Sequence, residues 1–174
     1  MAHLPYADLG SSGTRALVER IVEQRGSVLH LYQMLLHSPP VAEGWLHFMT
    51  QVRQKCALSG AIRELVIMQV AHRNGAPYEA GQHAPLALRE GLTQDQLDAL
   101  PAWEASDRFD PLQRAALALT DTMTREIHVP AKQIESLRTL LPEREVVELV
   151  ATVASYNMVS RFLEALRIRE DDPR

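Results

Sequence analysis

The sequence predicts an all-α protein, a single-domain helical bundle built on an antiparallel helical hairpin. Three observations carry that prediction. Apolar residues recur at helical spacing along most of the chain, and no alternating run of strand type interrupts them. Glycines and prolines fall where helices stop and start. The stretch RELVIMQVAHRNGAPYEAGQH, residues 63–83, reads as an apolar helix, a tight corner at Asn74-Gly75 and a second helix opening at Pro77.

Taken in order, residues 1–13 form an irregular arm rich in Gly, Ser and Pro. A first helix covers about Thr14 to Arg25, with Leu17, Val18, Ile21 and Val22 on one face and Gly26 ending it. A second runs from about Val28 to His37. Ser38-Pro39-Pro40 breaks the chain, and Ser38 is placed to cap a helix from about Pro39 to Arg53. Ser59 caps the helix that carries Glu64. The second helix of the hairpin runs to about Glu90 and ends at Gly91. Thr93, with Gln96 three residues on, has the form of a capping box for a short helix through Leu100. Pro101 to Arg108 reads as a linker. Asp110-Pro111 opens a helix through about Glu126, Pro130 another through about Leu141, and Pro142 the last, through about Ile168. Val146, Val147, Leu149, Val150, Val153 and Ala154 make that last helix apolar over most of its circumference, so it is expected to be central. The helical domain is therefore residues 14–168, and 169–174 is a polar tail expected to fray.

Composition narrows the function classes. The 174 residues include 18 basic and 22 acidic side chains, a formal charge of −4, with the basic ones scattered. Nothing in that pattern calls for nucleic acid or an anionic membrane surface. No uninterrupted apolar run approaches the roughly 20 residues of a membrane span, and the first residues lack the basic and apolar regions of a secretory signal. A lone Cys56 forms no internal disulfide, which fits a reducing cytoplasm. The expectation is a soluble cytoplasmic domain.

Chemistry concentrates in the hairpin. Glu79 and His83 are four residues apart and share a helical face. Tyr78 lies about 100° around from Glu79 and borders that face. Glu64 sits near the start of the preceding helix, so an antiparallel return brings it toward His83. A carboxyl–imidazole pair of this kind can exchange protons near neutral pH. It can equally be a buried structural pair, and spacing alone leaves both readings open.

Other groups are weaker candidates. Cys56 has no neighbouring histidine to activate it and reads as a small apolar residue. His72, next to Arg73 near a helix C-terminus, suits the surface or the helix end. His30, His37 and His47 supply no set of three or four converging ligands and no HExxH spacing, so no metal is expected. Met34, Met49, Met68, Met123 and Met158 read as core gap-fillers. Arg161, in the apolar last helix, is a candidate carboxylate anchor, with an ion pair at a helix end or between subunits as the plainer reading.

Residues Glu64 to His83 resemble the signature of the carboxymuconolactone decarboxylase and alkylhydroperoxidase D superfamily. In its redox branch a glutamate is followed by eleven residues, a Cys-x-x-Cys pair, three residues and a histidine. Glu64, Leu65 to Gly75, positions 76 and 79, and His83 reproduce the spacing without a gap. Ala87 with Gly91-Leu92, the Ser38-Pro39 lead-in to a Trp-bearing helix, and Asn157 to Arg161 also look like the family. The two cysteine positions are Ala76 and Glu79 here, so the thiol–disulfide chemistry of the redox branch is not expected. The Pro77-Tyr78-Glu79 pattern is similar to the decarboxylase branch. The resemblance implies a cofactor-independent enzyme doing acid/base work on a small carboxylated or lactone-like substrate. It makes Glu64, Glu79 and His83 catalytic, with Tyr78 as a substrate contact beside the candidate anchor Arg161, and it implies a homotrimer or homohexamer. Two alternatives stand beside it: a peroxidase-related protein, and a non-catalytic helical oligomer that kept the scaffold.

Overall fold

A computed structural model describes residues 1–173; Arg174, the last residue of the polar tail, lies outside the described residues. The described chain is all-helical, without strands. Its contacts fall into two compact units, Met1–Lys55 with Leu163–Arg174, and Cys56–Phe162.

The first unit contains α1 (Arg15–Arg25), α2 (His30–Leu35) and α3 (Pro39–Gln54). Gly26 ends α1 in the left-handed conformation (φ 81°), where a side chain would be strained. α2 is shorter than its apolar pattern suggests, because Leu29 is still extended and the helix begins only at His30. Ser38 precedes α3 as expected, but its side chain caps nothing. Pro39 and Pro40 open the helix, and Pro40, at the second helical position, carries no N–H, so one of the two donors that a cap would serve is missing. Arg25 ties the unit together, donating to the Tyr32 hydroxyl at 3.2 Å and the Thr50 hydroxyl at 2.9 Å.

The arm is strapped to this unit. The Pro5 carbonyl accepts from His37 Nε2 at 2.7 Å and the Ala7 carbonyl from Gln33 Nε2 at 3.0 Å. Tyr6 donates its hydroxyl to Asp172 at 2.7 Å, and Asp172 also accepts from the Arg169 backbone N–H at 3.0 Å. The tail expected to fray therefore carries a buried anchor at Asp172. Burial works against the ionised carboxylate there, yet the Tyr6 and Arg169 hydrogen bonds hold Asp172 below the usual range.

The second unit is built around the hairpin of α4 (Gly60–Asn74) and α5 (Pro77–Arg89), with α4 packed on α7 (Pro111–Arg125) as well. Ser59 accepts from the Ile62 N–H at 3.3 Å, as its position predicts. Gly75 turns the chain at φ 60°, and Pro77 starts α5. α6 (Gln94–Ala99) opens on the Thr93–Gln96 capping box, and α7 opens on an Asp110–Gln113 box. The segment read as a linker is partly a 3₁₀ helix, Leu100–Ala105. Leu100 and Trp103 are what order it: both enter the core cluster with Leu65, Met68, Leu97 and Leu117.

α8 (Ala131–Arg138) and α9 (Glu143–Leu166) complete the chain. Leu149, Val153, Tyr156 and Val159 of α9 are buried, but Val147 and Met158 face solvent. The last helix is thus central along one side rather than apolar and buried all round, and Met158 is not a core residue. α9 has the length and mean hydropathy (1.2) of a membrane span, which no uninterrupted apolar run suggested; 56% of that window is buried within the protein, as in a core helix.

Candidate active site

α4, α5 and the part of α9 that lies in the second unit bring the candidate groups together. α4 brings Glu64 and α5 brings Glu79 and His83. The left-handed turn at Gly75 sends α5 back along α4, closing the distance that nineteen residues separate in sequence. His83 Nδ1 lies 2.7 Å from Glu64 Oε2, and Arg63 Nε approaches the other Glu64 oxygen at 3.6 Å.

α9 lies across the same groups. Ser160 donates to both oxygens of Glu79, at 3.1 and 3.0 Å. The ring of Tyr156 meets His83 edge-on, 5.0 Å between centroids and 89° between planes. The pairing is a register: Glu79 and His83 are four apart on α5, Ser160 and Tyr156 are four apart in the reverse direction on α9. All three predicted proton-bearing groups are buried, Glu64 to 3% exposure, Glu79 to 2% and His83 to 7%. Tyr78 is buried beside them in sequence. Sequence reasoning did not single out Tyr156 or Ser160, which stand one helical turn apart among other polar residues of the same helix, Thr152, Ser155 and Asn157.

Arg161 is placed differently. Its Nη1 donates to Asn157, to the carbonyl at 3.1 Å and to Oδ1 at 2.8 Å, and the residue lines a cavity with α7, α8 and α9 side chains rather than joining the Glu64–His83 pair. His72 is exposed. Arg73 does more than its helix-end position suggests: it forks onto Asp121, Nε to Oδ1 at 2.7 Å and Nη2 to Oδ2 at 2.5 Å. Gln69 Nε2 and the Trp103 indole add donors to the same carboxylate at 2.7 and 3.1 Å. Burial alone would raise the Asp121 carboxyl, but Arg73, Gln69 and Trp103 together hold it below the usual range.

Cys56 is partly buried, and its thiol is pushed up by burial first and by the Glu148 carboxylate second. No group of three or more His, Cys, Asp or Glu side chains converges as a metal site among the described residues.

The model of the carboxymuconolactone decarboxylase family matches residues 39–122, the stretch holding α3 to most of α7 and with it the whole hairpin. Over that stretch, a little under half of its length, the chain is similar to the carboxymuconolactone decarboxylase family. Its curated relative in Bacillus subtilis (strain 168), the uncharacterized protein YdfG, is 26% identical over 120 residues, 68% of this chain and 82% of the relative. Among solved structures, an alkylhydroperoxidase AhpD core protein from Ralstonia eutropha JMP134, described as peroxidase-related, superposes with a TM-score of 0.83 at 18% identity, covering 98% of this chain and 93% of that one. The debrominase Bmp8 in complex with 2,3,4-tribromopyrrole gives a TM-score of 0.78 at 16% identity, covering 95% and 89%. At those identities the structures establish the shared fold.

Proposed function

We propose that this protein is a cofactor-independent acid/base enzyme of the carboxymuconolactone decarboxylase superfamily acting on a small carboxylated or lactone-like substrate. The observation that carries the reading is the buried Glu64–His83 hydrogen bond at 2.7 Å, with Glu79 one helical turn away. An ionised Glu64 accepts the Nδ1 proton, which fixes the imidazole tautomer and assigns proton transfer to Nε2. Glu79, oriented by the Ser160 hydroxyl, is the second proton-bearing group or the one that selects the substrate. Tyr78 is a substrate contact at the start of α5. The single cysteine supports a route without a thiol pair, since the signature positions hold Ala76 and Glu79. The enzyme is expected to be cytoplasmic and to assemble as a homotrimer or homohexamer.

A second reading is favoured by burial. Glu64, Glu79 and His83 are as covered as core residues, which suits a non-catalytic helical protein that kept the scaffold. Carbon dioxide release from a panel of carboxylated lactones, beginning with carboxymuconolactone, separates the two. Turnover by the wild type that falls about 10²- to 10⁴-fold in His83→Gln, with the helical circular dichroism unchanged, supports acid/base catalysis. No turnover across the panel supports the second reading, and equal turnover in His83→Gln removes His83 from the mechanism.

A further inference from the structure

On a different face of α9 from Tyr156 and Ser160 lies a cavity of about 460 Å³, within the size range of small-ligand sites. Its walls are apolar: Leu119 and Met123 from α7, Ile134 from α8, Val150 and Ala154 from α9. Arg161 is its only basic side chain.

That arginine is braced. Asn157 accepts Nη1 with both its carbonyl and its Oδ1, and is itself fixed by donating to Thr124 Oγ1 at 3.1 Å and to the Val153 carbonyl at 3.0 Å. Asn74, at the hairpin corner, donates to the same Asn157 Oδ1 at 3.1 Å. Arg161 forms no ion pair among the described residues, so the helix-end form of the plainer reading finds no partner there. With Nη1 engaged, the Nε–Nη2 edge is the one that remains, and it is the edge that grips a carboxylate with two parallel hydrogen bonds. Glu126 also borders the cavity, and its charge disfavours a ligand with a second carboxylate.

We propose that this cavity binds a small, mostly apolar monocarboxylate, anchored by Arg161. The site stands independently of the acid/base reading, because none of its lining residues belongs to the Glu64–Glu79–His83 set.

Titration of the full chain with hexanoate and benzoate, against hexanamide and benzamide, tests it by calorimetry and by methyl chemical shifts of Met123 and Ile134. The carboxylates are expected to bind saturably and to shift both methyl groups. Each amide is expected to bind about tenfold or more weakly than its acid, the worth of a charge-assisted pair. Arg161→Met should weaken the carboxylates by the same factor, and Ala154→Phe, on an exposed position of α9, should block them by filling the cavity. Amides binding as well as carboxylates, unchanged carboxylate binding in Arg161→Met or Ala154→Phe, or no saturable binding by the wild type would each overturn the site.

Discussion

Two buried carboxylates flank α4, and they are compensated in different ways. Asp121 is gripped by Arg73 through two hydrogen bonds and by two neutral donors, Gln69 and Trp103. Glu64 is held by His83. A guanidinium never gives up its proton in a protein, so the cation of the Asp121 node is permanent. An imidazole still hydrogen-bonds in its neutral form, so the Glu64–His83 contact does not require a permanent cation. The first arrangement suits a structural clasp between α4, α7 and the 3₁₀ segment. The second suits a site that moves protons.

The largest effect should come from breaking the clasp. Asp121→Asn leaves Arg73 largely buried beside a neutral side chain, and the loss of one partner of a buried pair is expected to cost about 3–5 kcal/mol in denaturant unfolding. The pH dependence follows from the lowered Asp121 carboxyl. A group whose folded pKa is depressed stabilises the fold above its unfolded value, about 3.9, and that contribution is lost as pH falls from there through the folded pKa. Wild-type stability should therefore drop below about pH 4, while the variant, already without the contribution, loses less over the same window. An unfolding curve for Asp121→Asn that overlays the wild type would remove the distinction between the two regions.

Glu64→Gln should cost less, about 1–2 kcal/mol, the scale of one imperfectly replaced hydrogen bond. The Gln carbonyl still accepts from Nδ1, and His83 is able to remain neutral where Arg73 is not. If this variant proved as destabilised as Asp121→Asn, the Glu64–His83 pair would be a second fixed clasp, and the acid/base reading would lose its basis.

How far the sequence reaches differs between the same two regions. The Glu64–His83 contact follows from a local rule: a Gly-Ala-Pro corner between two helices forces an antiparallel return, and helical spacing does the rest. Ser59, Thr93 and Asp110-Pro111 were legible for the same reason, since capping is decided within four residues. The Asp121 node was not legible. Its members, Gln69, Arg73, Trp103 and Asp121, lie on three elements up to 52 residues apart, and no local pattern marks them as converging. Ser160 and Tyr156 escaped notice likewise, because the register of α9 on α5 is fixed by packing. The tail misled for a related reason: Asp172 looks solvated by composition, and contacts from Tyr6 and the N-terminal ammonium, more than 160 residues earlier, tie it down.

The smallest expected effect sharpens the comparison from outside both regions. At Cys56 burial and the Glu148 carboxylate favour the neutral thiol and outweigh the Arg63 and Arg144 charges that oppose them. Reactive cysteines need the opposite, an electropositive setting that favours thiolate. Because the thiolate is the nucleophile and the thiol is pushed up, alkylation by iodoacetamide at pH 7 should run slower than for a free cysteine and accelerate only above the ordinary thiol range, about pH 8.5. Cys56→Ser should leave stability within about 0.5 kcal/mol, with any lactone turnover unchanged. Peroxide consumption by the wild type that disappears in Cys56→Ser would place the chemistry on sulfur after all. It would make the Glu64–His83 pair, for all its difference from the Asp121 clasp, a bystander to the reaction.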